Sequence, residues 1–135
     1  MSMNDELAAI EAAVNECEKG IATGTISVNA FVSQIQSIAD PNASIAKNVE
    51  ILSVLQGYID RINQQRMREL KYEYPNDSRI RQLAHRVAEY FLTLMNYLAD
   101  MGEALATPDV RLKMQAENQE LRMMLKESVS DLLDN

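Results

Sequence analysis

Residues 78–105, SRIRQLAHRVAEYFLTLMNYLADMGEAL, place apolar side chains at three- and four-residue steps along their whole length. The repeating positions are Ile80, Leu83, Val87, Phe91, Leu94, Met95, Leu98, Met101 and Leu105. Such steps align apolar side chains on one face of an α-helix, whereas a half-buried strand alternates at every second residue. The stretch therefore predicts a long amphipathic helix whose apolar face must be covered by other helices.

The composition of the rest of the chain also favours helices. Only four glycines and three prolines occur in 135 residues, there is no Trp, and two Phe are present. Ala, Leu, Glu, Gln and Met, which lose little side-chain freedom in a helix, are abundant. We therefore predict an all-α fold, a helical bundle of four to five helices, formed as a single domain by residues 1–135.

Residues 1–40 are predicted to form a small N-terminal helical hairpin. Its first helix begins near Asn4 or Asp5, which can cap the free amides of the first turn, and ends between Gly20 and Gly24. The second helix is short and capped by Ser27.

Residues 41–106 are predicted to form a long antiparallel helix pair. Asp40 and Pro41 start its first helix, Pro75 lies in the turn between the two helices, and Asp77 or Ser78 can cap the second helix. The first helix has a wide apolar face as far as Ile62, and the sequence then becomes polar. We therefore expect the end of this hairpin to project beyond the core.

Residues 107–135 are predicted to form a C-terminal, coiled-coil-like helix that starts at Thr107-Pro108-Asp109. A narrow stripe repeats at alternating four- and three-residue steps, which is the spacing of a heptad seam. The interface residues that we predict from it are Met114, Asn118, Leu121, Leu125 and Leu132, with Ser128 in the same stripe. Two outcomes remain open, because the helix can complete its own bundle or pair with a second copy of the chain.

Basic residues are concentrated in one stretch. Residues 61–86 hold seven Lys and Arg against three Asp and Glu, in a chain with a net charge of -7. A hairpin that turns at Pro75 would collect them at one end. The candidate anion-binding residues are Arg66, Arg68, Lys71, Tyr72, Tyr74, Arg79, Arg81 and Arg86. The first interpretation is that the set binds the phosphates and bases of a nucleic acid or nucleotide. The other is that it forms ion pairs with neighbouring acids or meets an acidic surface of its own oligomer.

No set of residues predicts catalysis. His85 is the only histidine, and Gln82 stands where a Glu-x-x-His metal pair would have its carboxylate. Cys17, the only cysteine, falls on an apolar stripe and is predicted to be buried. We therefore expect a non-enzyme with no metal and no cofactor. A site formed between protomers is a third, less favoured hypothesis.

The net charge and the hydropathy of the chain limit the kinds of binding partner that we expect. An acidic chain is not expected to adhere to polyanions except locally, and no stretch approaches the length of a membrane span. We expect a cytoplasmic, non-enzymatic helical protein–protein interaction module (an adaptor, assembly chaperone or inhibitor) that acts as a homo-oligomer on another protein, with no membrane partner. The alternative is a nucleic-acid- or nucleotide-binding module that uses the basic hairpin tip 61–86.

Overall fold

The computed structural model of the protein describes residues 2–22, 33, 37, 38, 40–103 and 108–133. These residues form five helices and no strand: α1 (Met3–Ala22), α2 (Pro41–Asp60), α3 (Gln64–Glu73), α4 (Ser78–Glu103) and α5 (Pro108–Leu133). The predicted all-α bundle is confirmed. Most of the second helix of the predicted N-terminal hairpin lies outside the described residues, as do its Ser27 cap and the Thr107 cap.

The bundle is centred on α4 and α5, which make the most extensive contact among the described helices. Each is 26 residues long, and residues 104–107 join them, so they run antiparallel. α2 contacts α5 more extensively than it contacts α4. The long antiparallel hairpin therefore lies one helix further along the chain than the expected pair within residues 41–106.

Phe91, Leu94 and Leu98 of α4 have exposures of at most 1% and meet Leu55 and Ile59 of α2 in one apolar core. The other helices add their own buried side chains to the same cluster. These include Leu7, Ile10, Val14 and Cys17 of α1, Met67 and Leu70 of α3, and Met114, Leu125 and Leu132 of α5. Because all five helices contribute side chains to this cluster, the described residues pack around one core.

The expected projection beyond Ile62 is wrong. α2 ends at Asp60, and a new helix starts after Asn63, whose side chain accepts a hydrogen bond from the Arg66 amide at 3.0 Å. The chain turns here, and Met67 and Leu70 are both 0% exposed. Ile62 and Met67 flank the cap with the spacing of a hydrophobic staple, and both are buried. That signal in the sequence predicts a helix start, but the polar character of the surrounding residues obscures it.

The helix starts are set by side-chain caps. Asp40 accepts from the Asn42 amide at 3.0 Å, and Asp77 accepts from the Arg79 amide at 2.9 Å, as the sequence predicts. α1 differs from the expected start at Asn4 or Asp5. Ser2 is its cap and accepts from the Asp5 amide, while the Asp5 carboxylate accepts from the Ser2 amide, which is a reciprocal capping arrangement.

Candidate functional site

The predicted anion-binding residues do not form one patch, because α1 lies along one side of α3 and α4. Arg66, Arg79 and Arg86 point toward α1, while Arg68, Lys71, Tyr72 and Arg81 line an open groove on the other side. Tyr74 is 43% exposed beyond the end of α3 and lines neither of the two cavities of this groove. The basic stretch is thus divided into a set that contacts α1 and a set that faces the groove, and Arg86 belongs to both.

Arg66 is held by carboxylates on both sides. Its Nε donates to Glu6 Oε2 of α1 at 2.6 Å, and its Nη1 donates to Glu69 Oε2 at 3.1 Å. The hydrogen bond from Arg66 keeps the pKa of Glu6 below its usual value, which shows that the carboxylate form is favoured in this contact.

Arg79 and Arg86 join α4 to α1. Arg79 Nη1 donates to Asn4 Oδ1 at 3.0 Å while its Nη2 pairs with Asp77 at 3.1 Å. Arg86 Nη2 donates to Asn15 Oδ1 at 2.7 Å and to Glu18 Oε2 at 3.1 Å. The ion-pair interpretation of the basic stretch therefore describes these arginines.

The groove lies where the end of α3, the start of α4 and the end of α5 meet, and we call it the α3–α4–α5 groove. It consists of two adjoining cavities of about 700 and 740 Å³ that share Lys71 and Arg81. One cavity is also lined by Ser78, Gln82, His85, Arg86, Leu132 and Leu133. The other is also lined by Arg68, Tyr72, Pro75, Asn76 and Asp131. Cationic and apolar side chains thus alternate around an open concave surface.

The cations of the groove differ in how far they are paired. Arg68 Nη1 bonds Asp131 Oδ2 at 2.8 Å, and Lys71 Nζ donates to the Leu132 carbonyl oxygen at 2.7 Å, at the negative end of α5. Arg81 is exposed, and no described residue forms a side-chain hydrogen bond or ion pair with it. Asp131 is the only acidic residue among the described residues that line the groove. Arg81 is therefore the cation best placed to meet an external anion.

The aromatic and imidazole groups of the groove are accessible. Tyr72 is 88% exposed at the end of α3. His85 Nε2 lies 3.1 Å from Glu89 Oε1, one turn further along α4. In the described ranges, no group of three or more His, Cys, Asp and Glu side chains is arranged to hold a metal ion.

The predicted interface stripe of α5 faces the interior of its own chain. Met114, Asn118, Leu125 and Leu132 are at most 2% exposed, and Leu121 is half-buried against the same core. Asn118 Oδ1 accepts from Asn48 Nδ2 of α2 at 3.1 Å. The stripe therefore completes the bundle, which was one of the two outcomes left open, and these side chains are not free to contact a second copy.

Cys17 is buried at the junction of α1, α2 and α4. Its thiol is 0% exposed and donates to the Tyr58 carbonyl oxygen at 3.6 Å. Burial raises the pKa of this thiol, so the unreactive protonated form is favoured. Cys17 acts here as a small core side chain.

No family model, no curated protein and no solved structure matches this chain. Among the residues that the structure describes, no helix combines the length and apolar character needed to cross a membrane.

Proposed function

We propose that this protein is a non-enzymatic binding module that holds an acidic segment of another protein in the α3–α4–α5 groove. The observation that carries the proposal is the position of Arg81, which is exposed and unpaired within the described chain, between the two cavities of the groove. A carboxylate that reaches Arg81 would gain a charge-assisted hydrogen bond without displacing an existing partner.

The lining favours a protein segment over a long nucleic acid. Leu132, Leu133 and Pro75 give the groove apolar contacts beside its cations, which suit a segment that carries both acidic and aliphatic side chains. The net charge of -7 opposes the approach of a long polyanion, whereas a short acidic segment is influenced mainly by the positive side chains of the groove. Adaptors, assembly chaperones and inhibitors all act through contacts of this kind.

A nucleic acid or nucleotide is the second candidate ligand, because Tyr72 is 88% exposed beside Lys71 and Arg81. An exposed tyrosine next to cations can stack on a base while the cations hold phosphates. Binding of this kind has a steep salt dependence, since phosphate contacts release counterions.

The test is fluorescence anisotropy with a labelled peptide rich in Glu and Leu. The Arg81→Gln variant should bind about tenfold more weakly than the unmodified protein, because one charge-assisted bond is lost. Lys113→Gln is the control, since it removes the same charge from an exposed position of α5 that does not line the groove. Equal binding by all three proteins would rule out the groove as the site. A labelled oligonucleotide that binds more tightly than the peptide, with the same dependence on Arg81, would establish the second candidate instead.

We also propose that the module acts as a homo-oligomer through the outer face of α5. Leu112 and Met123 are 64% and 56% exposed and are separated by about three helical turns, so they lie on the same side of the helix. Large apolar side chains that are aligned and uncovered favour a self-complementary contact with a second copy.

A further inference from the structure

Acidic and amide side chains flank the buried stripe of α1 on both sides. Helical spacing places Asn4, Glu11, Asn15 and Glu18 on the flank that faces α4, and Glu6 and Glu16 on the opposite flank. Arginines from α4 contact the first flank, while Arg66 and Arg61 contact the second, with Arg61 Nη1 3.4 Å from Glu16 Oε1. α1 thus already binds the basic stretch in the way that an external acidic helix would.

Arg86 belongs both to this contact and to the α3–α4–α5 groove. It lines the cavity that also contains Lys71, Arg81 and His85. Its guanidinium nevertheless donates to Asn15 and Glu18 of α1, and Glu11 Oε1 lies 3.9 Å away. The side chain is still 35% exposed. The carboxylates of α1 therefore hold a groove cation that would otherwise be available to a ligand.

These carboxylates are not what docks α1 on the bundle. Leu7, Ile10, Val14 and Cys17 are at most 8% exposed and supply the apolar contact. The pairs with Arg86 lie at the surface, where the side chains of Glu11 and Glu18 are 59% and 46% exposed, and ion pairs of this kind add little to stability. Their removal should leave α1 in place and should leave the positive charge of Arg86 uncompensated, because its remaining partner on α1 is the neutral side chain of Asn15, at 2.7 Å.

We infer that α1 is a built-in acidic competitor, which draws Arg86 away from the α3–α4–α5 groove and thereby weakens the binding of an acidic partner. This inference rests on the proposed function of the groove. It assigns a regulatory role to Glu11 and Glu18, since any change that neutralises them, or that moves α1, returns the charge of Arg86 to the groove.

The experiment measures anisotropy of the same Glu- and Leu-rich peptide with a Glu11→Gln/Glu18→Gln variant. Binding should be about three- to tenfold tighter than that of the unmodified protein, because Arg86 gains a free charge. Glu50→Gln/Glu120→Gln is the matched control, since it removes two negative charges from α2 and α5 at positions that do not line the groove. Circular dichroism should show unchanged helix content in both variants.

Adding Arg86→Gln to the Glu11→Gln/Glu18→Gln variant should abolish the gain in affinity, and that result would tie the gain to this arginine. An equal gain in the control variant, or no gain in either, would overturn the inference while leaving the groove as the site if Arg81→Gln still weakens binding. A peptide that binds none of the proteins would overturn the proposed function, and the inference with it.

Discussion

The Asn48 and Asn118 side chains form a buried polar pair between α2 and α5, and both residues are at most 1% exposed. Asn48 Nδ2 donates to Asn118 Oδ1 at 3.1 Å and to Glu117 Oε2 at 3.0 Å. Asn48 Oδ1 and Asn118 Nδ2 have no hydrogen-bond partner among the described residues. The pair therefore fixes the register of α2 on α5 and leaves one acceptor and one donor unsatisfied.

We predict that Asn118→Leu alone lowers the free energy of unfolding by about 1–3 kcal/mol, because Asn48 then loses a buried partner. The double variant Asn48→Leu/Asn118→Leu should be less destabilised than the single variant, since it removes both unsatisfied groups. Urea unfolding of the unmodified protein, of the single variants Asn48→Leu and Asn118→Leu and of the double variant measures this. A double variant that loses as much stability as the two single variants together would show that the two amides do not act as a pair.

At the scale of single residues, the sequence predicts the caps well where a helix start has a plain signal. Asp40 before Pro41 and Asp77 after Pro75 are confirmed, because proline limits where each helix can begin. Ser2 and Asn63 are missed. Several polar residues surround each of these two caps, so composition does not show which of them is the N-cap. The geometry of the side chains shows which one accepts a hydrogen bond from a backbone amide of the first turn.

At the scale of helices, the break between α2 and α3 depends on Asn63. Its side chain satisfies the Arg66 amide, and the new direction of the chain brings Met67 and Leu70 into the core. We predict that Asn63→Ala lowers the free energy of unfolding by about 1 kcal/mol, as the loss of an N-cap does elsewhere. Gln65→Ala, at an exposed position in the same turn, is the control for urea unfolding. Equal stability of the two variants would show that the cap does not hold this turn.

The contact between α1 and α3 should weaken in acid. The folded-state pKa of Glu6 lies below its usual value of 4.5, mainly because Arg66 donates a hydrogen bond to the carboxylate. A depressed pKa contributes stability that is present above the unfolded pKa and is lost as the pH falls through the folded pKa. The free energy of unfolding should therefore decrease below about pH 4.5, and Glu6→Gln should make that decrease shallower. Urea unfolding at several pH values checks this, and parallel pH profiles for the two proteins would contradict it.

The spacing of apolar residues along the sequence does not predict which helices pack together. The apolar stripes of α2, α4 and α5 are each recognisable in the sequence, but a stripe specifies only that a face must be covered. Pro75 interrupts the helical pattern of the sequence just as Pro108 does, so two different hairpins fit the same pattern. Packing decides between them, and the contact between α4 and α5 is the most extensive one among the described helices.

At the scale of the whole molecule, the burial of the α5 stripe decides which substitutions should change the oligomeric state. If the protein assembles through Leu112 and Met123, the double variant Leu112→Ser/Met123→Ser should fall to the mass of a single 15.2 kDa chain in light scattering. Asn118→Leu should leave the mass unchanged, because that side chain contacts α2 of its own chain. A change of mass in Asn118→Leu would instead support pairing through the heptad stripe.

Only part of the arrangement of the basic residues can be predicted from the sequence. The sequence marks the basic stretch and its tyrosines as a distinctive feature. It does not reveal that the acids of α1 neutralise part of that stretch, because Glu6 and Glu18 are far from Arg66 and Arg86 along the chain. The groove itself requires the end of α5 to lie beside the start of α4, which only the helix pairing determines.

The extensive contact between α4 and α5 should affect how the protein folds and unfolds. These two helices are adjacent in sequence, so their mutual contacts join residues that are close along the chain, and early formation of this pair carries a small entropic penalty. Backbone amides near Phe91 and Leu125 should then exchange with solvent deuterium only when the entire domain opens. Those of α1, which rests on one narrow stripe, should exchange through smaller local fluctuations.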